Sequence, residues 1–342
     1  MEAKFYNAAN VARRGEYGAL AKLNSGDVSW REIWEREFSG EKIADPEKEW
    51  QKLEKEGIKL LLRDDAGFPP ALREIPFPPF GIYVLGEIPL SAPLVAVVGT
   101  RKATSYGLEA ARKIAGELSA SGVVVVSGLA MGIDAAAHEG ALDGGRTVAV
   151  LANGLDRVYP AQNANLAKKI LAAGGALISE YPIGSETLPR RFLERNRIVS
   201  GLSLATVVVE APVRSGALNT ARFALEQNRD VFAVPGSVLH SNYAGSHQLL
   251  KSGAALATEA ADILLALNID MEAKNPAREK KITETDGEEG AVLREIQTAA
   301  FAVGIDKISE NTKLQPQAVS RAVTFLTLKG LIKESGGGYV VK

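Results

Sequence analysis

Short apolar runs recur through the middle of the chain, separated by stretches in which apolar residues return every three or four positions. The runs fall at Val95–Val98, Val123–Val126, Val148–Leu151, Leu177–Ser179, Thr206–Val209 and Val231–Val234, with a shorter one near Ala255–Ala257. Most are continuous rather than alternating, the pattern of parallel strands covered on both faces. The intervening stretches predict helices over Gly107–Ala120, Ile133–Leu142, Asn163–Ala173, Phe192–Ser200, Ala217–Gln227 and Ser246–Lys251. Strand and helix alternate throughout, so residues 91–267 are predicted to form a Rossmann-like, doubly wound, mostly parallel α/β domain.

The flanks differ. Residues 1–90 read as a small, mainly helical (SAM-like) N-terminal domain with a connector. Helical periodicity covers Trp30–Phe38 and Pro46–Glu56, and the proline-rich Phe68–Phe80 is expected to be extended or turning before a short strand, GIYVLG. Residues 268–290 are polar and charged, which predicts a linker. Residues 291–342 fit a C-terminal winged helix. A first helix at Ala291–Ala300 precedes a helix–turn–helix over Lys307–Thr312 and Gln317–Lys329, with Pro316 at a helix start and GLIKESGGGYVVK as the wing.

Three glycine-punctuated loops follow strands and precede helices: VAVVGTRKATSYG, VVVVSGLAMGIDAAAH and VVVEAPVRSGALNTA. Unpaired N–H groups at helix starts, at the positive end of the helix dipole, hold phosphates well. The first loop offers Gly99, Thr100, Arg101 and Lys102 but lacks GxGxxG, and the second strand ends in Ser127–Gly128 rather than an acid for a ribose hydroxyl. GxxxxGK[ST] is absent too, so NAD and ATP in their usual modes are disfavoured, no cofactor is implied, and phosphodiesters fit. A glycine needed only for strand-to-helix geometry fits the same loop. In the second loop Gly128 and Gly132 allow close backbone approach, and Asp134 and His138 share a helix face without the further ligands a metal needs. The third loop places Ser215, Gly216 and Thr220 at a helix start, with no nucleophile elbow to make Ser215 catalytic.

Composition narrows the partners. The 342 residues carry a net charge of −1, so no global basic field points to nucleic acid. Ser185–Arg229 nevertheless holds seven arginines against four glutamates. In RRFLERNRIVSGLS, Phe192 lies among Arg190, Arg191, Arg195 and Arg197. An aromatic beside guanidiniums suits a single strand, whose bases stack while its phosphates meet cations. A core phenylalanine with surface arginines fits that stretch equally well. The absence of cysteine excludes disulfides and thiolate chemistry. No apolar run approaches the roughly 18 residues of a membrane span, and MEAKFYNAAN has no signal-peptide apolar region, so a cytoplasmic protein is expected.

With these residues in view, the chain resembles the DNA-processing protein A family (DprA, also called Smf). VVGTR, SGLAMGIDAAAH, ANGLDRVYP, ISEYP, RFLERNRIVSGLS, SGALNTA, VFAVPG and GSHQLLKSGA occur in the family's order between Leu94 and about Leu265. The run-in LEKEGIKLLLRDDAGFPPALREIPFPPFGIYVLGE is similar as well. The resemblance implies a dimerising DNA-binding core without catalytic residues. It implies protection of single-stranded DNA and loading of the RecA recombinase onto it in natural transformation. It places the family's phosphate loop on Gly99, Thr100 and Arg101, and its aromatic and RNR motif on Phe192, Arg195, Asn196 and Arg197. Lys251 stands where arginine is common, His247 where asparagine is usual and Leu193 where proline is usual. No helix–hairpin–helix turn marks the N-terminal domain.

The winged helix, which only part of the family has, carries seven Lys/Arg against eight Asp/Glu from Glu284 onward, and its second helix offers Gln317, Ser320, Arg321, Thr324 and Lys329. Protein contact and weak duplex binding stand level. Two other readings compete. Cytokinin-activating phosphoribohydrolases resemble SGLAMGIDAAAHEGALDGGRTVAVL distantly, but their PGGxGTxxE signature corresponds here to EAPVRSGALNTA, with no glutamate after Thr220. A winged-helix regulator that senses a nucleotide is the third.

Overall fold

In the computed structural model the continuous apolar runs become the centre of one nine-stranded sheet. Strands β3 (Leu94–Val98), β4 (Val124–Ser127), β5 (Thr147–Leu151), β6 (Ala176–Ser179), β7 (Ala205–Val208), β8 (Asp230–Ala233) and β9 (Ala255–Leu256) run parallel. Every residue of β3 to β7 is buried, which is why no polar alternation marks them. Two further strands, β1 (Lys59–Leu62) and β2 (Gly81–Gly86), extend the sheet antiparallel at the β6 edge. The order is β1-β2-β6-β5-β4-β3-β7-β8-β9. The chain therefore reverses its direction of travel between β3 and β7, and ligands of such sheets bind in the crevice at that reversal.

The structure describes residues 2–24, 28–39, 44–269, 287–298, 302–329, 331–335 and 337–341. They fall into two compact units, one within Met1–Ala273 and the other within Lys274–Lys342. The expected boundary near residue 90 therefore does not separate compact units. Helices α1 (Glu2–Ala12), α2 (Tyr17–Leu23), α3 (Trp30–Glu37) and α4 (Pro46–Lys55) belong with the sheet. Tyr6, Trp30 and Ile33 share one apolar cluster with Tyr83 of β2, Leu177 of β6 and Ala149 and Leu151 of β5. The physical reason is that β2 has residues buried on both faces and pairs with β6 (Val84 opposite Ile178), so the N-terminal helices complete the cover of the sheet. The proline-rich connector contains one helical turn, α5 (Pro70–Arg73), started by a proline where its missing N–H costs nothing.

On one face α6 (Ser105–Ala120) and α7 (Ile133–Gly144) pack against Val95, Val97 and Val125; on the other, α9 (Pro189–Gly201) and α10 (Gly216–Glu226) cover Ala96, Val98 and Val126. Helices α8 (Ala164–Ala172), α11 (Ala244–Lys251) and α12 (Ala260–Ala266) complete this unit.

The second unit has α13 (Glu288–Thr298), α14 (Ile305–Thr312) and α15 (Pro316–Leu328), then an antiparallel hairpin of β10 (Ile332–Ser335) and β11 (Gly338–Val341). That is a winged helix with its own core of Val292, Ile296, Ile308, Val319 and Leu326. Its first helix starts at Glu288, inside the expected linker; residues 270–286 of that linker, and Ala299 and Ala300 of the expected helix, lie outside the described residues. Two cations of the helix–turn–helix are paired with α13: Arg321 with Glu288 at 2.8 Å and Lys329 with Glu289.

Candidate nucleic-acid interface

The loop leaving β3 is held by its neighbours. The Thr100 N–H donates to the Glu210 carbonyl (2.7 Å), and Thr104 caps α6 by accepting from the Gly107 N–H (3.1 Å). Gly132 (φ +80°) opens α7, and a Cβ there would lie 2.4 Å from the Thr100 carbonyl oxygen, so only glycine lets the second loop back onto the first. Gly128 is constrained by a side chain: an added Cβ would lie 2.5 Å from a guanidinium nitrogen of Arg195.

The carboxyl ends of β3, β4 and β7, with α9 across from them, enclose a cleft of about 690 Å³. Gly99, Thr100, Arg101, Lys102, Gly128, Phe192, Arg195, Asn196, Ser215, Gly216 and Thr220 all line it. Three separate loops and a helix thus converge on one cleft.

Five other expected site residues do not line the cleft. Ser127 is fully buried, and its hydroxyl donates to the Val97 carbonyl (2.7 Å). Gly132 supports the first loop from behind. Arg190 is exposed and ion-paired with Glu16, and Lys251 ends α11, exposed and outside the cleft. Arg197 is corrected outright from a phosphate ligand to a buried structural cation. It pairs with Glu180 at 2.7 Å, both side chains under a tenth exposed, and its guanidinium lies 5.2 Å from the Tyr17 ring centroid. Two helical positions turn the chain by about 200°, which sends Arg197 away from the side that carries Arg195.

Arg195 is also buried, yet it faces the cleft and donates to the Gly128 (2.8 Å) and Val150 carbonyls. Burial pulls its guanidinium down to about 10, against the nearby charge of Asp134, and it remains a cation at neutral pH. Burial pushes the Asp134 carboxyl up, countered by Arg195 and by the Ala130 and Gly128 N–H groups that donate to it. His138 does not join Asp134 in a site: its Nδ1 lies 2.7 Å from the Thr147 hydroxyl inside the core, and burial lowers its pKa to about 3. Among the described residues no group of three or more His, Asp or Glu is placed to hold a metal. The Ser215 hydroxyl accepts from the Ala217 N–H (3.3 Å), the role of a helix cap.

Sequence reasoning missed four residues. Arg214 and Asn242 line the cleft. Glu210, two residues after β7, is fully buried and accepts from the Thr104 N–H (3.1 Å) and hydroxyl (2.7 Å), the Tyr243 hydroxyl (3.1 Å) and the Asn242 amide. It ties the first loop to the segment before α11; an acid directly after an apolar strand was the available signal. Tyr159, in the ANGLDRVYP segment, puts its ring 5.7 Å from that of Phe192, inclined at 57°. The Arg101 guanidinium lies 4.6 Å from the Phe192 centroid. The lining carries Arg101, Lys102, Arg195 and Arg214 against the single carboxylate Asp134. Arg101, Lys102 and Arg214 are exposed and have no carboxylate partner among the described residues.

Residues 59–268 match the family model of DNA recombination-mediator protein A, and residues 276–338 match that of the DprA winged helix domain. Protein Smf of Escherichia coli is 39% identical over 293 residues, spanning 84% of this chain and 78% of the relative. The structure of DNA processing protein A from Streptococcus pneumoniae superposes with a TM-score of 0.62 at 35% identity, covering 78% of this chain and 93% of that one. DNA processing protein A from Helicobacter pylori, studied for its single-stranded DNA binding mode, gives 0.56 at 31% identity over 62% of this chain and 95% of that one. Both family models match, the first over more than half of the chain, and the chain belongs to the DprA/Smf family of DNA-processing recombination mediators.

Proposed function

We propose that the cleft at the β3/β7 reversal binds single-stranded DNA and that the protein is a binding, not a catalytic, mediator. The observation that carries this is the meeting, in one groove, of an aromatic ring with exposed cations that have no carboxylate partner among the described residues. Arg101 can exchange its contact with Phe192 for a phosphate while a base takes the ring face. Asp134 is engaged by Arg195 and two backbone N–H groups, so it is not poised as a general acid or base. The Helicobacter pylori relative supports the choice of ligand.

The family supports the wider role: protection of incoming single strands, transfer of them to RecA in natural transformation, work as a homodimer, and a place in the cytoplasm. In the winged helix, pairing of Arg321 and Lys329 with glutamates supports protein contact or weak duplex binding over sequence-specific reading. The test is a titration of labelled oligo-dT into wild type, Arg101→Ala and Phe192→Ala, with a duplex of equal length as competitor. Both variants weaken single-strand binding, and the duplex competes poorly. Unchanged affinity in both variants, or base release from nucleoside monophosphates, refutes the proposal.

A further inference from the structure

We propose, resting on the single-strand reading above, that Tyr159 is a second base-stacking residue, taking a base distinct from the one on Phe192. Tyr159 lines the cleft and is 46% exposed. Its ring is inclined at 57° to that of Phe192 with centroids 5.7 Å apart. Rings so close and so inclined cannot sandwich one base face to face, so each offers its face to a separate base. The two faces also differ. The Arg101 guanidinium lies against Phe192, whereas no cation lies over Tyr159 among the described residues. A base can therefore stack on Tyr159 without displacing anything.

The loop that presents Tyr159 is fixed in place. The Asn153 amide donates to the Gly154 and Arg157 carbonyls, both at 2.8 Å. The Ser179 hydroxyl donates to the Asn153 carbonyl (2.7 Å), and the Gly184 N–H donates to Asp156 (3.0 Å). Beyond the ring, the Asn163 amide donates to the Leu129 carbonyl (2.9 Å). An aromatic ring on a braced loop loses little freedom when a ligand docks, which is what a stacking platform requires. Any base offers a π-face, so the subsite is tolerant of sequence.

The test uses the full chain and an oligo-dT carrying one 2-aminopurine, moved along the strand position by position. Tyr159→Phe binds as wild type. Tyr159→Leu, which keeps apolar bulk but has no π-face, binds ~5- to ~150-fold more weakly. It also loses the 2-aminopurine quench at a position different from the one lost in Phe192→Leu. Where Tyr159→Leu fails to fold, Tyr159→Trp takes its place and retains both affinity and quench; weaker binding in Tyr159→Trp overturns the inference. Wild-type affinity and quenching in Tyr159→Leu, with loss in Arg101→Gln and Phe192→Leu, sinks the Tyr159 subsite alone. Wild-type binding in all three variants sinks the groove reading itself.

Discussion

Salt dependence separates the phosphate contacts of this groove from its stacking contacts. Arg101, Lys102 and Arg214 line the cleft, exposed and without a carboxylate partner among the described residues; Arg195 is buried and engaged with two backbone carbonyls. Three cations are thus free to displace counterions. At about −0.7 per phosphate on a single strand, log affinity falls with log salt at a slope of about −2.1, a loss of roughly 18-fold between 50 and 200 mM. Arg101→Gln, Lys102→Gln or Arg214→Gln each reduces the slope by about 0.7, leaving a loss of roughly 7-fold over the same range. Phe192→Leu lowers affinity by about 1–3 kcal/mol without changing the slope, because stacking releases no counterions. Arg190→Gln, outside the cleft and ion-paired with Glu16, leaves both unchanged. Fluorescence anisotropy of labelled oligo-dT at four salt concentrations measures all of these. A wild-type slope near zero refutes the reasoning, as does an Arg190→Gln effect as large as that of Arg101→Gln.

Three further outcomes concern the frame around the groove. Gly128→Ala drives a Cβ to within 2.5 Å of the Arg195 guanidinium; it costs about 1–3 kcal/mol of stability in urea unfolding, and an unaltered midpoint contradicts the packing described. Glu180→Gln strands Arg197 in the interior and costs about 3–5 kcal/mol, whereas the double change Glu180→Leu with Arg197→Met is much milder; equal losses in the two proteins contradict this. His138 binds its proton far less readily folded (about 3) than unfolded (6.5). Its neutral form therefore stabilises the fold fully above pH 6.5, and that contribution, on the order of 5 kcal/mol, is lost as pH falls from 6.5 towards 3. Stability of His138→Leu measured across this window falls less steeply than that of wild type, and parallel curves contradict the assignment.

The parallel core was legible because strands buried on both faces need continuous apolar runs, and Val123–Val126 can do little else. The convergence of the three loops was legible for a related reason: glycines after such strands sit at one end of the sheet. The role of Arg197 was not. Sequence places it two residues from Arg195, and only Glu180, brought close by the turn after β6, decides that one arginine serves the groove and the other the core. Tyr159 was hidden by its position in a loop, where no periodicity reports which way a ring points. The extent of the sheet was hidden too, because β2 finds β6 across some ninety residues and nothing local in GIYVLG announces that partner.

That long-range pairing bears on how the protein is made. Strand β2 closes against β6, and the Asn10 amide of α1 donates to the Glu180 carbonyl (3.2 Å), so the first ninety residues cannot reach their final packing until Glu180 has left the ribosome. At about 5–20 residues per second, the wait after β2 emerges is roughly 5–20 s. During that interval β2, which carries Tyr83 of the N-terminal apolar cluster, lacks the strand that pairs with it. The beginning of this chain is therefore the part that a nascent-chain chaperone has most reason to hold.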